Sequence, residues 1–295
     1  MDQRDIISPD AAAPLARAMT AKLGAADANF IRTHDGVSLF FSDWGAGRPM
    51  VFLHAWALPS PMWDYQIAPL SEQGFRCIAY DRRGHGRSSV PSGGYDYDTL
   101  ADDLAAVLET LDLTEVTLVG HSFASGEMVR YLTRHGSRRI ARLIFVAPAA
   151  TPFPVRTADN PDELPAERYD AFRKILLRDY PRWLEENRRR FFTAETSAEV
   201  QNWIGELMRQ TPLKVAIEFN RSGTATDFRA ELARIDVPTL VIHGDKDMSA
   251  PLERGRRTAQ MIPGAGFEIY EGAPHGLFVT HIERLNADIA AFARM

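Results

Sequence analysis

Along most of this chain, short apolar runs bounded by turn residues alternate with segments of helical periodicity. Strands are predicted at residues 29–33, 37–44 and 50–54, separated by the turns Asp35-Gly36 and Gly45-Ala46-Gly47. The first two read as a hairpin. Strand and helix then alternate: a strand at 76–80, a helix near 97–111, a strand at 116–120, a helix near 124–134 and a strand at 140–146. The pattern resumes with a strand at 238–243, a helix near 252–261, a strand at 266–270 and a helix near 282–293. Such alternation predicts a mainly parallel sheet covered by helices on both faces.

Two stretches stand apart. Residues 150–230 contain no clear strand and several helical stretches, with Tyr169, Phe172, Leu176, Trp183, Phe191, Phe192 and Trp203 set among charged residues. They read as a helical cap inserted over the C-terminal edge of the sheet, where open α/β sheets bind ligands. Residues 1–28 form an extension in which Leu15, Met19 and Leu23 make a short apolar stripe. That stripe points to packing or assembly, as in a homo-oligomer, rather than to chemistry. The expected organisation is an extension at 1–28, a core in two parts at 29–149 and 231–295, and the cap at 150–230.

Composition narrows the range of partners. With 295 residues, 45% hydrophobic and 25% charged, the chain can bury a large core. A net charge of -5 offers no basic field for a phosphate backbone, so nucleic acid is excluded as a partner and a small organic molecule is expected. The one cysteine, Cys77, lies in an apolar run and reads as a core thiol. The first residues lack the continuous apolar stretch of a signal peptide or membrane span, which predicts a cytoplasmic protein without membrane partners.

The candidate chemistry centres on Gly120-His121-Ser122-Phe123-Ala124-Ser125-Gly126, which lies between a predicted strand and a predicted helix. A strand, sharp turn and helix in that order form a nucleophile elbow, which exposes a serine hydroxyl above the sheet and aims helix N-terminal amides at the reacting centre. The usual pattern is Gly-x-Ser-x-Gly, and Ala124 departs from it by one methyl group. A serine hydroxyl needs a base, and the base needs a partner that fixes its tautomer. Both candidates follow strand ends downstream, in the order Ser, Asp, His. His275 is singled out as the base by its place after the last strand, between Pro274 and Gly276. His281 is expected in the final helix and His85 in a supporting loop. For the acid, Asp245 and Asp247 share one loop, and one of them could instead cap the helix that begins near Pro251. Backbone amides of Phe123, directly after the nucleophile, and of Trp56, in the loop after the third strand, are the candidate oxyanion donors.

Together these stretches carry a resemblance. His54-Ala55-Trp56, residues 81–88, residues 120–127 with Tyr131 and Arg134-His135-Gly136, residues 235–245 and residues 271–277 resemble the cofactor-free haloperoxidases and aryl esterases of the α/β-hydrolase superfamily. The resemblance runs from about residue 29 to the end. It implies the α/β-hydrolase fold, an eight-stranded sheet, no cofactor and no metal. It also implies hydrolysis of a small ester through an acyl-enzyme on Ser122, with a metal-free perhydrolase side activity. In that family the acid lies three residues after the glycine that closes the penultimate strand, which is Asp247 here. The chain departs from the family at Ala55 and Ala124, where glycine is usual, at Ala57, where proline is common, and at His121, where phenylalanine is frequent.

Ser122 argues against the dehalogenases and epoxide hydrolases of the same fold, which carry an aspartate at that position. Lactonases and carbon–carbon bond hydrolases keep the serine and remain open, as does a non-catalytic ligand-binding homologue. No His-Glu-x-x-His pattern suggests a metal enzyme, and Gly45-x-Gly47 lacks the third glycine of a dinucleotide fingerprint.

Overall fold

The computed structural model describes residues 28–161 and 163–295. The apolar stripe of Leu15, Met19 and Leu23 therefore lies outside the described residues. Eight strands form one sheet: β1 (Phe30–Arg32), β2 (Ser38–Gly45), β3 (Arg48–Leu53), β4 (Phe75–Tyr80), β5 (Val116–His121), β6 (Ile140–Val146), β7 (Thr239–Gly244) and β8 (Gly266–Tyr270). Their order is β1-β2-β4-β3-β5-β6-β7-β8. β1 and β2 form the antiparallel hairpin, with Ile31 opposite Leu39, and β2 also runs antiparallel to β4. Every other pairing is parallel.

The longer helices are α1 (Asp64–Ser71), α2 (Tyr97–Thr110), α3 (Ala124–His135), α4 (Ala166–Asn187), α5 (Ala198–Arg209), α6 (Leu213–Ala225), α7 (Leu252–Met261) and α8 (Ile282–Arg294). The central strands are apolar on both faces because helices cover both. In β3, Met50 and Phe52 enter one core, and Val51 and Leu53 enter the other. α2 starts where Asp96 accepts the amide of Thr99 at 2.9 Å, an N-cap that satisfies one otherwise orphaned donor.

α1 carries no sequence expectation. It has little amphipathic contrast and contains Pro69, so periodicity does not mark it. α4 looks continuous but bends at Asp179, where the backbone becomes extended (φ -162°, ψ 80°) two residues before Pro181. Proline lacks the amide that would continue the ladder, and the Asp179 carboxylate instead accepts the amide of Arg182 at 3.0 Å, capping the second half. The bend sets the Trp183 ring against Phe172 and Trp56, with ring centroids 5.0 and 5.6 Å away.

Strand order determines where chemistry can occur. From β3 the chain crosses to β4 on one side, then returns to place β5 on the other. The C-terminal ends of β3 and β5 are therefore neighbours at a topological switch point, with Leu53 paired to Gly120. Among the described residues, no helix is long and apolar enough to cross a membrane.

Candidate active site

Ser122 occupies the turn between β5 and α3 at φ +60°, a left-handed backbone that costs a non-glycine residue on the order of 1–2 kcal/mol. Hydrogen bonds on every side hold it there. Its amide donates to Val146 O at 2.9 Å, and its carbonyl accepts from the amides of Ser125 and Ala149 at 3.2 and 3.1 Å and from the Ser125 hydroxyl at 2.8 Å. Small neighbours make the turn feasible. A Cβ on Gly120 would stand 2.3 Å from Met128 Sδ and 3.2 Å from Ala124 Cβ, so the glycine makes room for the methyl by which Ala124 departs from the usual motif.

Beyond β7 and β8 the chain returns toward this serine. His275 Nε2 lies 3.0 Å from Ser122 Oγ, and His275 Nδ1 lies 2.6 Å from Asp247 Oδ2. All three side chains are buried, with Ser122 5% exposed at the floor of the pocket. With Asp247 ionised, Nδ1 carries the proton and Nε2 is left as the acceptor facing the hydroxyl.

The two candidate acids have separate environments. Asp247 Oδ1 accepts the amides of Ser249 and Ala250 at 2.7 and 2.8 Å, and Oδ2 faces both His275 and His243 Nε2, the latter at 3.2 Å. Burial works to raise this carboxyl. The positive charge of His275 when it is protonated and the hydrogen bonds from His243 and His275 outweigh it, and hold the group well below the usual carboxylate range. Asp245 points elsewhere, accepting the Gly272 amide at 2.7 Å and so tying the β7 loop to the β8 loop. The same two loops meet at Gly244, where a Cβ would lie 2.1 Å from the Ala273 carbonyl oxygen. Neither aspartate caps the following helix, whose N-cap is Pro251 with no side-chain cap bond; the Asp247 carboxylate instead holds the turn that leads to Pro251.

Two histidines that the sequence did not mark as site residues support this arrangement. His243 Nε2 faces Asp247 Oδ2 and, at 3.0 Å, Ala250 O; both are acceptors, so this nitrogen carries the hydrogen. His121 Nε2 donates to the backbone carbonyl of His275 at 2.8 Å, bracing the loop that carries His275. Burial, with the neighbouring charge of His275 second, holds His121 well below the ordinary histidine range and keeps it neutral. The only sequence signal for His243 is a histidine ending an otherwise apolar strand.

The loop after β3 brings Trp56 to the switch point beside Phe123. Neither backbone amide donates a hydrogen bond to another described residue, and both residues line the pocket with Ser122 and His275. The Trp56 indole donates to Ala216 O at 2.7 Å, which ties the loop to α6. The next residue, Ala57, sits at φ +59°, a conformation closed to proline because its ring holds φ near -65°. The alanine that departs from the family pattern therefore permits this loop conformation.

Beneath the loop, Arg82 donates its amide to His54 Nε2 at 2.9 Å and its guanidinium to His54 O at 2.6 Å. The guanidinium also pairs with buried Glu127, which accepts from Tyr80 OH as well. Breaking one partner out of such a buried pair typically costs about 3–5 kcal/mol. His85 packs its ring 4.8 Å from that of His54, which supports the same loop.

Above the serine, α4, α5 and α6 close a pocket of about 290 Å³. Its wall includes Trp56 and Phe123 from the loops at the strand ends and Tyr169, Phe172, Trp183 and Phe191 from the segment 150–230, whereas Phe192 and Trp203 of that segment do not line it.

Residues 48–282 match the family model described as the alpha/beta hydrolase fold. The chain is 38% identical over 269 residues to a non-heme chloroperoxidase of Kitasatospora aureofaciens, covering 88% of this chain and 97% of that protein. It is 35% identical over 277 residues to a bifunctional esterase/perhydrolase of Acinetobacter calcoaceticus, covering 90% and 99%. Among solved structures, an esterase from Exiguobacterium antarcticum superimposes with a TM-score of 0.88 at 32% identity, over 90% of this chain and 99% of that one. Sheet order, a serine in a strained turn between strand and helix, and these similarities lead to one assignment: the chain belongs to the α/β-hydrolase fold family.

Proposed function

We propose that this protein is a serine-dependent hydrolase of small carboxylic esters. The observation that carries the reading is the relay of 3.0 Å from Ser122 Oγ to His275 Nε2 and 2.6 Å from His275 Nδ1 to Asp247 Oδ2. In this mechanism Ser122 Oγ attacks the ester carbonyl carbon while His275 Nε2 takes its proton. The carbonyl electron pair moves onto oxygen, and that oxyanion accepts hydrogen bonds from the Trp56 and Phe123 amides. Removing one such donor generally costs about 10²- to 10³-fold in rate. The intermediate collapses, His275 returns the proton to the leaving alcohol, and an acyl group remains on Ser122. Water, deprotonated by His275, then releases the acid. Asp247 stays ionised throughout and stabilises the imidazolium. A fluorophosphonate probe is expected to label Ser122 stoichiometrically and to abolish hydrolysis of short aryl esters. A folded protein that resists the probe would instead be a ligand-binding member of the fold.

The esterase/perhydrolase relative favours a second use of the same acyl group. Hydrogen peroxide is more acidic and more nucleophilic than water, so His275 can activate it to release a peracid from acyl-Ser122. In acetate and peroxide, bromide oxidation is expected to depend on Ser122 and to be insensitive to chelator. Activity that survives Ser122→Ala, or is lost on chelation, would contradict this route.

A further inference from the structure

The charge of the pocket is opposite to that of the protein. The chain carries 39 acidic and 34 Lys and Arg side chains, yet among the described residues three arginines and no aspartate or glutamate line the cavity over Ser122. One of them, Arg254, is neutralised by buried Glu163 and donates to Ala149 O at 2.9 Å, so it contributes shape rather than net charge. The other two, Arg168 near the start of α4 and Arg190 just beyond its end, are exposed at the mouth. Neither guanidinium has a hydrogen-bond or ionic partner among the described residues; on the same stretch Arg173, Arg182 and Arg188 are paired with carboxylates, while Arg178 and Arg189, likewise without a partner among the described residues, do not line the cavity.

A buried donor completes the set. Asn220 is 5% exposed and lines the same cavity. Its Oδ1 accepts from Arg173 Nη1 at 3.0 Å, which fixes the amide orientation and leaves Nδ2 without a partner among the described residues. With Ser122, the cavity is lined by six aromatic residues, Trp56, Phe123, Tyr169, Phe172, Trp183 and Phe191. A ligand that is apolar along its length and anionic at an end that reaches the exposed mouth fits this lining.

We propose that the pocket takes an ester whose acyl chain ends in a carboxylate, held at the mouth by Arg168 and Arg190, with Asn220 as a buried amide donor along the wall. Arginine forks match carboxylates in geometry, and a net positive mouth on an acidic protein concentrates anions at the pocket. The proposal rests on the ester-hydrolase reading of the same site and specifies its substrate class. It requires no chemistry beyond attack at the ester carbonyl, since the remote carboxylate is bound and not transformed.

Monomethyl adipate and methyl hexanoate are matched in chain length and differ in the terminal charge. At low salt the wild-type protein is expected to show a kcat/KM about tenfold higher for the anionic ester, the size expected of two partly exposed charge-assisted contacts. The ratio should fall toward one in Arg168→Gln/Arg190→Gln and at 0.5 M salt, about where screening shortens to a few ångströms. Equal or better turnover of methyl hexanoate by the wild type, or a preference undiminished in the double variant, would overturn the proposal and leave the hydrolase reading intact. Calorimetric binding of monomethyl adipate to Ser122→Ala, with and without the arginine substitutions, tests the site without turnover. Binding that depends on the arginines in a protein that hydrolyses neither ester would sustain the anion site and defeat the hydrolase reading; no dependence on the arginines would defeat the site.

Discussion

Ser122→Ala is expected to lower kcat for ester hydrolysis by on the order of 10⁶-fold and to leave the thermal transition nearly unchanged. The size follows from what is lost. Without Oγ no acyl-enzyme forms, and His275 has no proton to accept at the reacting centre. What survives is whatever binding and the two oxyanion amides provide, in comparable triads about 10³- to 10⁴-fold over water. Stability should not change much, because the backbone bonds that hold the strained turn do not involve the side chain, and among the described residues Oγ bonds to His275 alone. Steady-state kinetics on a variant shown by circular dichroism to be folded is the measurement. More than a few per cent of wild-type turnover would remove Ser122 from the reaction.

Asp247→Asn should cost about 10⁴-fold in kcat, whereas Asp245→Asn should change it little. An asparagine at 247 that keeps Oδ1 for the Ser249 and Ala250 amides must turn its NH₂ toward His275 and His243. Two donors then face each other at His275 Nδ1, and the imidazole moves its hydrogen to Nε2, where it can no longer accept from Ser122. At 245 an amide oxygen can still accept from Gly272, so that tie persists. The reverse ranking, in two folded variants, would move the acid to Asp245.

The same carboxylate governs acid stability. Its folded-state pKa is depressed below the ordinary 3.8, so its contribution is complete above that value and is lost as pH falls through the lower one. Wild-type melting temperature should therefore drop on acidification below about pH 4, and the Asp247→Asn variant should show a flatter acid limb.

How much of this was legible beforehand depends on the range of the force involved. The eight strands, the β1–β2 hairpin and the turn around Ser122 are local. Buried parallel strands need continuous apolar runs, a hairpin needs Asp35-Gly36, and an elbow needs small residues beside its serine, so each leaves its mark within a few positions. α1 left none, because Pro69 and weak amphipathicity hide a helix that tertiary packing stabilises. The bend in α4 has a local cause in Pro181, which the reading of residues 150–230 as helical stretches did not single out, and only the fold shows that it turns Trp183 onto Trp56.

Residue proximity across the sheet is another matter, since it depends on strand order and on loops that compete for the same partners. The sequence determined that a serine, two aspartates and a histidine follow strand ends. Only the tertiary structure decided that β3 lies between β4 and β5, which brings Trp56 and Phe123 to one cavity. The local pattern left Asp245 and Asp247 open and the family resemblance pointed to Asp247; the fold turns Asp247 toward His275, adds His243 as a second donor to that carboxylate, and gathers Arg168, Arg190 and Asn220 at one cavity. These are choices among long-range contacts of similar local cost. They are settled by which buried polar groups find partners, a condition that no window of neighbouring residues contains.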